Sequence, residues 1–231
     1  MEQQISFRKA VGWLTILSVP FAFANFSLNG MAGGAEFNLY NYYTIGVDAG
    51  NLMKWSWLAD LLGYYLLLVP AAFLIHFWLK NKNPYWMPIL TFCGLAYIFA
   101  GSVGAVILAK TWPELISGYA GATGAMKEVY RILFFNSAQT VYGGIWGYLE
   151  YLLAGVWWIG VGCTLKSERK ALGIVTIILG VFTLTAVMGE VFTLQYVALA
   201  GLLVYLLLAP VWAFWLGISL LRGKDIELAN P

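Results

Sequence analysis

Charge is what this sequence has least of. Of 231 residues only 13 are Lys or Arg and 11 Asp or Glu, 10% in all, where a soluble globular domain carries about 25%. That excludes a soluble fold. A net charge of +2, with no basic run longer than the KSERK of 166–170, gives no footing for nucleic acid. Histidine is nearly absent: His76 alone cannot make a bis-histidine haem site, and no second soft ligand stands at a useful spacing. The two cysteines, Cys93 and Cys163, have no CxxC and no histidine cluster beside them, which excludes zinc and iron–sulfur sites. They read as small buried residues towards the cytoplasmic ends of their helices, where thiols stay reduced. No lysine lies deep in an apolar run, so a retinal Schiff base is excluded. GxSxG, HExxH, P-loop and dinucleotide fingerprints are missing as well. The sequence therefore calls for no cofactor and no metal.

What it has is apolar length. Hydrophobic residues make up 61% of the chain, and a membrane-crossing helix needs about 20 of them in a row. Six spans are expected, at 10–30, 57–79, 88–109, 137–165, 171–192 and 196–221, within one polytopic membrane domain, 1–231. The N-terminus has the basic start and apolar core of a signal peptide. The run from Val11 to Leu28 is long for one, so a retained first span is expected. Residues 31–56 read as a polar loop. Thr111 and Glu114 bracket Trp112 and Pro113 as a capping box, which predicts a short interfacial helix between spans 3 and 4. The fold class is an all-α membrane protein, a six-transmembrane-helix bundle. The 11 Trp and 14 Tyr are assigned to headgroup belts and packing rather than to a ligand cage.

Six spans put both termini on one side, and charge says which. With the N-terminus inside, Arg8, Lys9, Lys80, Lys82, Lys166, Arg169, Lys170, Arg222 and Lys224 are cytoplasmic, 9 of the 13 basic residues. The other four, Lys54, Lys110, Lys127 and Arg131, lie outside or at the outer interface. The positive-inside rule then holds at every loop. The expected location is the cell (inner) membrane.

Against this background one carboxylate stands out. Glu150 sits about 15 Å from either end of the fourth span, where a charge facing lipid costs roughly 2.5 kcal/mol or more. At about 100° per residue it shares a face with Asn136, Gln139, Gly143, Gly147 and Ala154, a small and polar seam suited to helix packing. Asp60 and Glu190 fall in the outer parts of spans 2 and 5, and Asn25 and Asn29 in the outer half of span 1. Asn136 and Gln139 fall at the outer part of span 4, with Arg131 at the rim. These side chains are expected to converge on a cavity open to the outside and floored by Glu150. Burial suits such a carboxyl to reversible protonation. The competing reading is that each acid bonds to a neighbour such as Arg131, Tyr148 or Asn25 and only fixes the packing.

Two stretches, WLADLLGYYLLLVPAAFLIHFWLK (57–80) and AQTVYGGIWGYLEYLLAGVWWIGVGCTLKSERKALGIVTIILG (138–180), carry a family resemblance. The chain resembles an uncharacterised bacterial family of six-span proteins known only as a domain of unknown function. That family has an Asp-containing second helix and a Gly/Trp-rich fourth helix followed by a short basic turn. The resemblance implies the topology and no activity. The functional expectation comes from the residues: binding or transport of a small polar, cationic or lipid-like ligand, with Glu150 as the ligand-binding or proton-exchanging group. Asp60, Glu190 and Arg131 would stand at the rim, with Asn25 and Gln139 as neutral hydrogen-bonders. Membrane lipids are the expected surroundings. An accessory subunit of a larger membrane complex, or a homo-oligomer, is the alternative, and a lipid-modifying enzyme a third. Only Asp60, Glu150 and Glu190 could supply an enzyme's paired acids, and no nucleophile–base pair is evident.

Overall fold

The six apolar runs fold as six helices, as the backbone must where no water reaches its polar groups. The computed structural model describes residues 2–33, 39–223, 226 and 228. Its helices are α1 Glu2–Gly33, α2 Val47–Leu79, α3 Trp86–Gly121, α4 Ala125–Glu168, α5 Lys170–Val191 and α6 Gln195–Arg222, all long and apolar enough to cross a membrane. Large apolar side chains face outward on the bundle: Trp13, Phe92 and Phe99 are 63%, 69% and 70% exposed. Such a surface suits hydrocarbon and not water.

α1 begins eight residues before its expected span and α4 twelve, and two further departures change an element. Of the loop expected over 31–56, residues 34–38 lie outside the described residues. The remainder is the end of α1, a 3-10 turn over Leu39–Thr44 and the start of α2, ten residues early. Gly50, Met53 and Trp57 recur at helical spacing and are buried, while Asp48, Asn51 and Lys54 face out, so a stretch that reads as polar loop is an amphipathic turn of helix. The short interfacial helix is not a separate element. α3 runs unbroken through Pro113 to Gly121. Thr111 bonds back to the Ile107 carbonyl at 2.8 Å instead of capping. Trp112 and Ile116 are fully buried, and this packing holds the segment in one helix.

The ends sort by charge. Lys82 pairs with Glu168 at 3.1 Å, and Asn83 reaches Thr164 at 3.3 Å, so the α2–α3 turn meets the α4–α5 turn at a basic end. Lys224, expected there too, lies outside the described residues. Close packing comes from glycine: a Cβ on Gly162 of α4 would stand 2.9 Å from the Gly173 carbonyl of α5. Small residues let these backbones approach. The middle of the core is aromatic, with Trp158 4.5 Å from both Trp157 and Trp212. The Trp212 indole N–H donates to Thr176 at 2.8 Å. Neither cysteine is a buried core residue: Cys93 is half-buried and Cys163 exposed. His76 Nδ1 lies 2.8 Å from the Thr91 hydroxyl, tying α2 to α3.

Two helices leave regular geometry. Pro70 has no N–H to give the Leu66 carbonyl, and the Val69 N–H takes that acceptor instead. The slack is absorbed one turn earlier in a wide π turn, Leu61–Tyr65, where the Leu66 N–H reaches back five residues to the Leu61 carbonyl. In α4 the wide stretch is Gln139–Glu150, with the Tyr151 N–H on the Trp146 carbonyl. Gly143, Gly144 and Gly147 ease that departure.

Candidate functional site

The buried face of α1 runs Ser18, Ala22, Asn25, Asn29, Ala32, three or four residues apart. Where it meets α2, the amides of Asn25 and Asn29 close on Ser56, with Asn29 Nδ2 donating to the Ser56 hydroxyl at 2.6 Å and Asn25 Nδ2 to the Ser56 carbonyl at 3.0 Å. The hydroxyl in turn donates to the Asn25 carbonyl at 3.0 Å. Ser56 is completely buried. This clasp fixes one wall of a cavity of about 130 Å³ in the half of the bundle away from the basic end.

Aromatic rings make most of the cavity's inner surface: Trp57, Tyr64 and Tyr65 from α2, and Tyr142, Trp146 and Tyr151 from α4. Their positions follow from what stands behind them. Gly101 of α3 leaves the space that the Tyr65 ring fills, and Gly104 does the same for Trp146. The Trp146 indole also donates to the Gly101 carbonyl at 3.2 Å. Tyr64 reaches across to α6, where Pro210 cannot donate to the Leu206 carbonyl, and the tyrosine hydroxyl does so at 2.9 Å. The α6 wall is leucine from Leu199 to Leu206, with the ring of Tyr205 among them.

Asp60 is set into this aromatic wall, 6% exposed. Its Oδ2 has no hydrogen-bond partner, and neither has Asn29 Oδ1 nor the Trp57 indole N–H. Among the described residues no Lys, Arg or His lines the cavity. A buried charge without a partner costs several kcal/mol, so a carboxyl here is stable only when neutral or when it faces a cation or a hydrogen-bond donor. Aromatic faces around it favour a cation further.

Glu150 is fully buried and is not part of the cavity surface. It stands one side chain behind it, accepting a hydrogen bond from the Tyr65 hydroxyl on Oε1 at 3.0 Å, while Oε2 has no partner. The expected floor is thus made by Tyr65 and Tyr151, with Glu150 beneath them. Asn25, like Asp60, lines the cavity.

The other expected members stand apart. Gln139 and Asn136 are exposed, and Arg131 is exposed and paired with Glu128, its Nε donating at 2.8 Å. Glu190 is half-buried at the end of α5, lying against Gly147 of α4 and off the cavity surface. The misplacement of Gln139 has a geometric cause. Over the 11 steps to Glu150 a regular helix at about 100° per residue returns to the same face. The wide turns advance only roughly 80° per residue, which leaves the two about half a turn apart. The buried positions of this stretch are Val141, Trp146, Gly147 and Glu150, and of these the three with side chains stand four or five residues apart, as the wider repeat requires.

Sequence reasoning missed Ser56 and the tyrosine and tryptophan cage. The signals for the cage were Tyr64 and Tyr65, four and five residues after Asp60, and glycines opposite large rings. A second hollow of about 330 Å³ lies at the basic end beside Arg169, Trp215 and Arg222. Among the described residues no cluster of His, Cys, Asp or Glu fits a metal ion. The chain matches no protein-family profile, no curated protein and no solved structure.

Proposed function

We propose that this is a multi-pass protein of the cell membrane, basic end and termini in the cytoplasm, that binds and carries a small ligand bearing a cationic group. The ligand sits in the extracytoplasmic half, its positive charge against Asp60 and its surface against the surrounding rings. The observation that carries the reading is the unpartnered Asp60 Oδ2 inside an aromatic cavity that no cationic side chain among the described residues lines. Cation–π contact and a desolvated counter-charge together account for recognition of ammonium groups. Glu150, a hydrogen bond away from the cavity floor through Tyr65, exchanges the proton that balances the ligand's charge.

The test is equilibrium binding of tetramethylammonium to protein reconstituted in lipid nanodiscs. Wild type binds it, Asp60→Asn binds at least about tenfold more weakly, and Glu150→Gln still binds but loses the pH dependence. An Asp60→Asn protein that binds as wild type does overturns the assignment.

A further inference from the structure

α1 and α6 diverge along their length. Near the basic end they touch: a Cβ on Gly12 would stand 3.1 Å from the Gly217 carbonyl, and Ile16 packs over Gly217. Towards the other end the cavity lies between them. There α1 is held to α2 by the Asn25–Asn29–Ser56 clasp, and α6 to α5 by the close approach of Gly189 to Ala198 and of Gly201 to Ala186. Each helix is therefore committed to a different neighbour, and the gap between them stays open above the Tyr64–Leu206 hydrogen bond.

The side chains at this gap face outward. Phe26 of α1 is 45% exposed, and Leu199 and Leu203 of α6 are 49% and 40% exposed, yet all three line the cavity. Leu199 and Leu203 lie about 6 and 12 Å along α6 from its first residue, Gln195, a depth that meets the headgroup boundary and the first part of the hydrocarbon. The polar atoms lie on the opposite, inner side: Asp60 Oδ2 and Asn29 Oδ1, both buried and without partners. A volume of about 130 Å³ seats a head of a few heavy atoms and leaves no room for a chain.

We infer that the cavity is entered sideways from the outer leaflet between α1 and α6, and that its ligand is an amphiphile, with a cationic head on Asp60 and an alkyl chain trailing past Phe26, Leu199 and Leu203 into the lipid. This rests on the reading of Asp60 as the ligand's counter-charge. It adds the chemical class and the route. Polarity supports it: the inner wall carries the unpaired carboxyl of Asp60, and the outer wall is phenylalanine and leucine. A hydrophilic cation arriving from water gains nothing from that outer wall, and an alkyl chain meets it at no desolvation cost.

The experiment compares two probes with one head, tetramethylammonium and dodecyltrimethylammonium. Full-length protein is held in phosphatidylcholine nanodiscs and referenced to empty nanodiscs. The long-chain probe is expected to bind wild type at least about tenfold more tightly, and dodecyl sulfate not to bind. Leu203→Trp, at an exposed position where folding tolerates bulk, fills the gap. It should weaken the long-chain probe at least about tenfold more than the short one, and Leu199→Trp should do the same. Equal affinity for the two probes, or an equal loss of both in Leu203→Trp, overturns the sideways route while the Asp60 site stands. If neither probe binds wild type, the cationic site and the route that rests on it fall together.

Discussion

Removing the Tyr65 hydroxyl isolates the energetics of the buried acid. Glu150 has one hydrogen bond, from Tyr65 at 3.0 Å, and its other oxygen has none. Tyr65→Phe therefore leaves both oxygens unpaired in a fully buried site, which costs about 1–3 kcal/mol. Glu150→Leu, of similar size, removes the carboxyl but strands the Tyr65 hydroxyl, for a second penalty of about 1–3 kcal/mol. The double variant, Tyr65→Phe with Glu150→Leu, strands nothing. Replacing both partners by apolar groups of the same shape is close to neutral, so it should be more stable than the sum of the singles by at least about 1 kcal/mol. The assay is reversible unfolding in mixed micelles under rising dodecyl sulfate, followed by helical circular dichroism. If the two substitutions add to within about 0.5 kcal/mol, the hydrogen bond is not what holds Glu150, and the account of the floor is wrong.

Two further outcomes test the walls and the orientation. Ser56→Ala removes the hydroxyl that bonds Asn25 and Asn29 and should cost about 1–3 kcal/mol in the same assay. A loss under about 0.5 kcal/mol would show that the clasp does not hold α1 to α2. With Cys93 and Cys163 replaced by alanine, Lys82→Cys should react with an impermeant maleimide only in inside-out vesicles, and Lys54→Cys only in right-side-out ones. The reverse pattern overturns the placement of the basic end in the cytoplasm.

The helices themselves were legible because hydropathy is a local property. The α5 expectation of 171–192 and the α6 expectation of 196–221 differ by a single residue at each end from Lys170–Val191 and Gln195–Arg222. The polar α1 face of Asn25 and Asn29 was legible for the same reason, since α1 keeps regular spacing throughout that stretch. Gln139 and Asn136 were not, because placing them by rotation assumes one angle per residue, and α4 changes its angle at Gln139. No hydrophobic count shows that change. Three glycines within five residues of a long apolar run, Gly143, Gly144 and Gly147, are the nearest thing to a warning. The cage was hidden for another reason. Composition counts aromatic residues without saying which side of a helix they take, so a ring at the headgroups and a ring around a cavity look alike.

The two wide turns and the two buried acids coincide, and rotation explains why that matters. Asp60 immediately precedes the turn Leu61–Tyr65, Glu150 closes the stretch Gln139–Glu150, and the hydrogen bond joins the last residue of one to the last residue of the other. In a regular helix Tyr65, five steps on, would stand about 140° round the axis from Asp60. At roughly 80° per step it comes to about 40°, on the same side. The turn that Pro70 sets up is thus what lets one tyrosine line the Asp60 cavity and still touch Glu150 behind it. Irregular backbone at membrane depth is tolerated only where protein encloses it or it lines a cavity, and here it does both. A straight second helix would keep the acid and the ring in the chain but turn them to different neighbours. The site is therefore a property of the helix distortion as much as of the residues it carries.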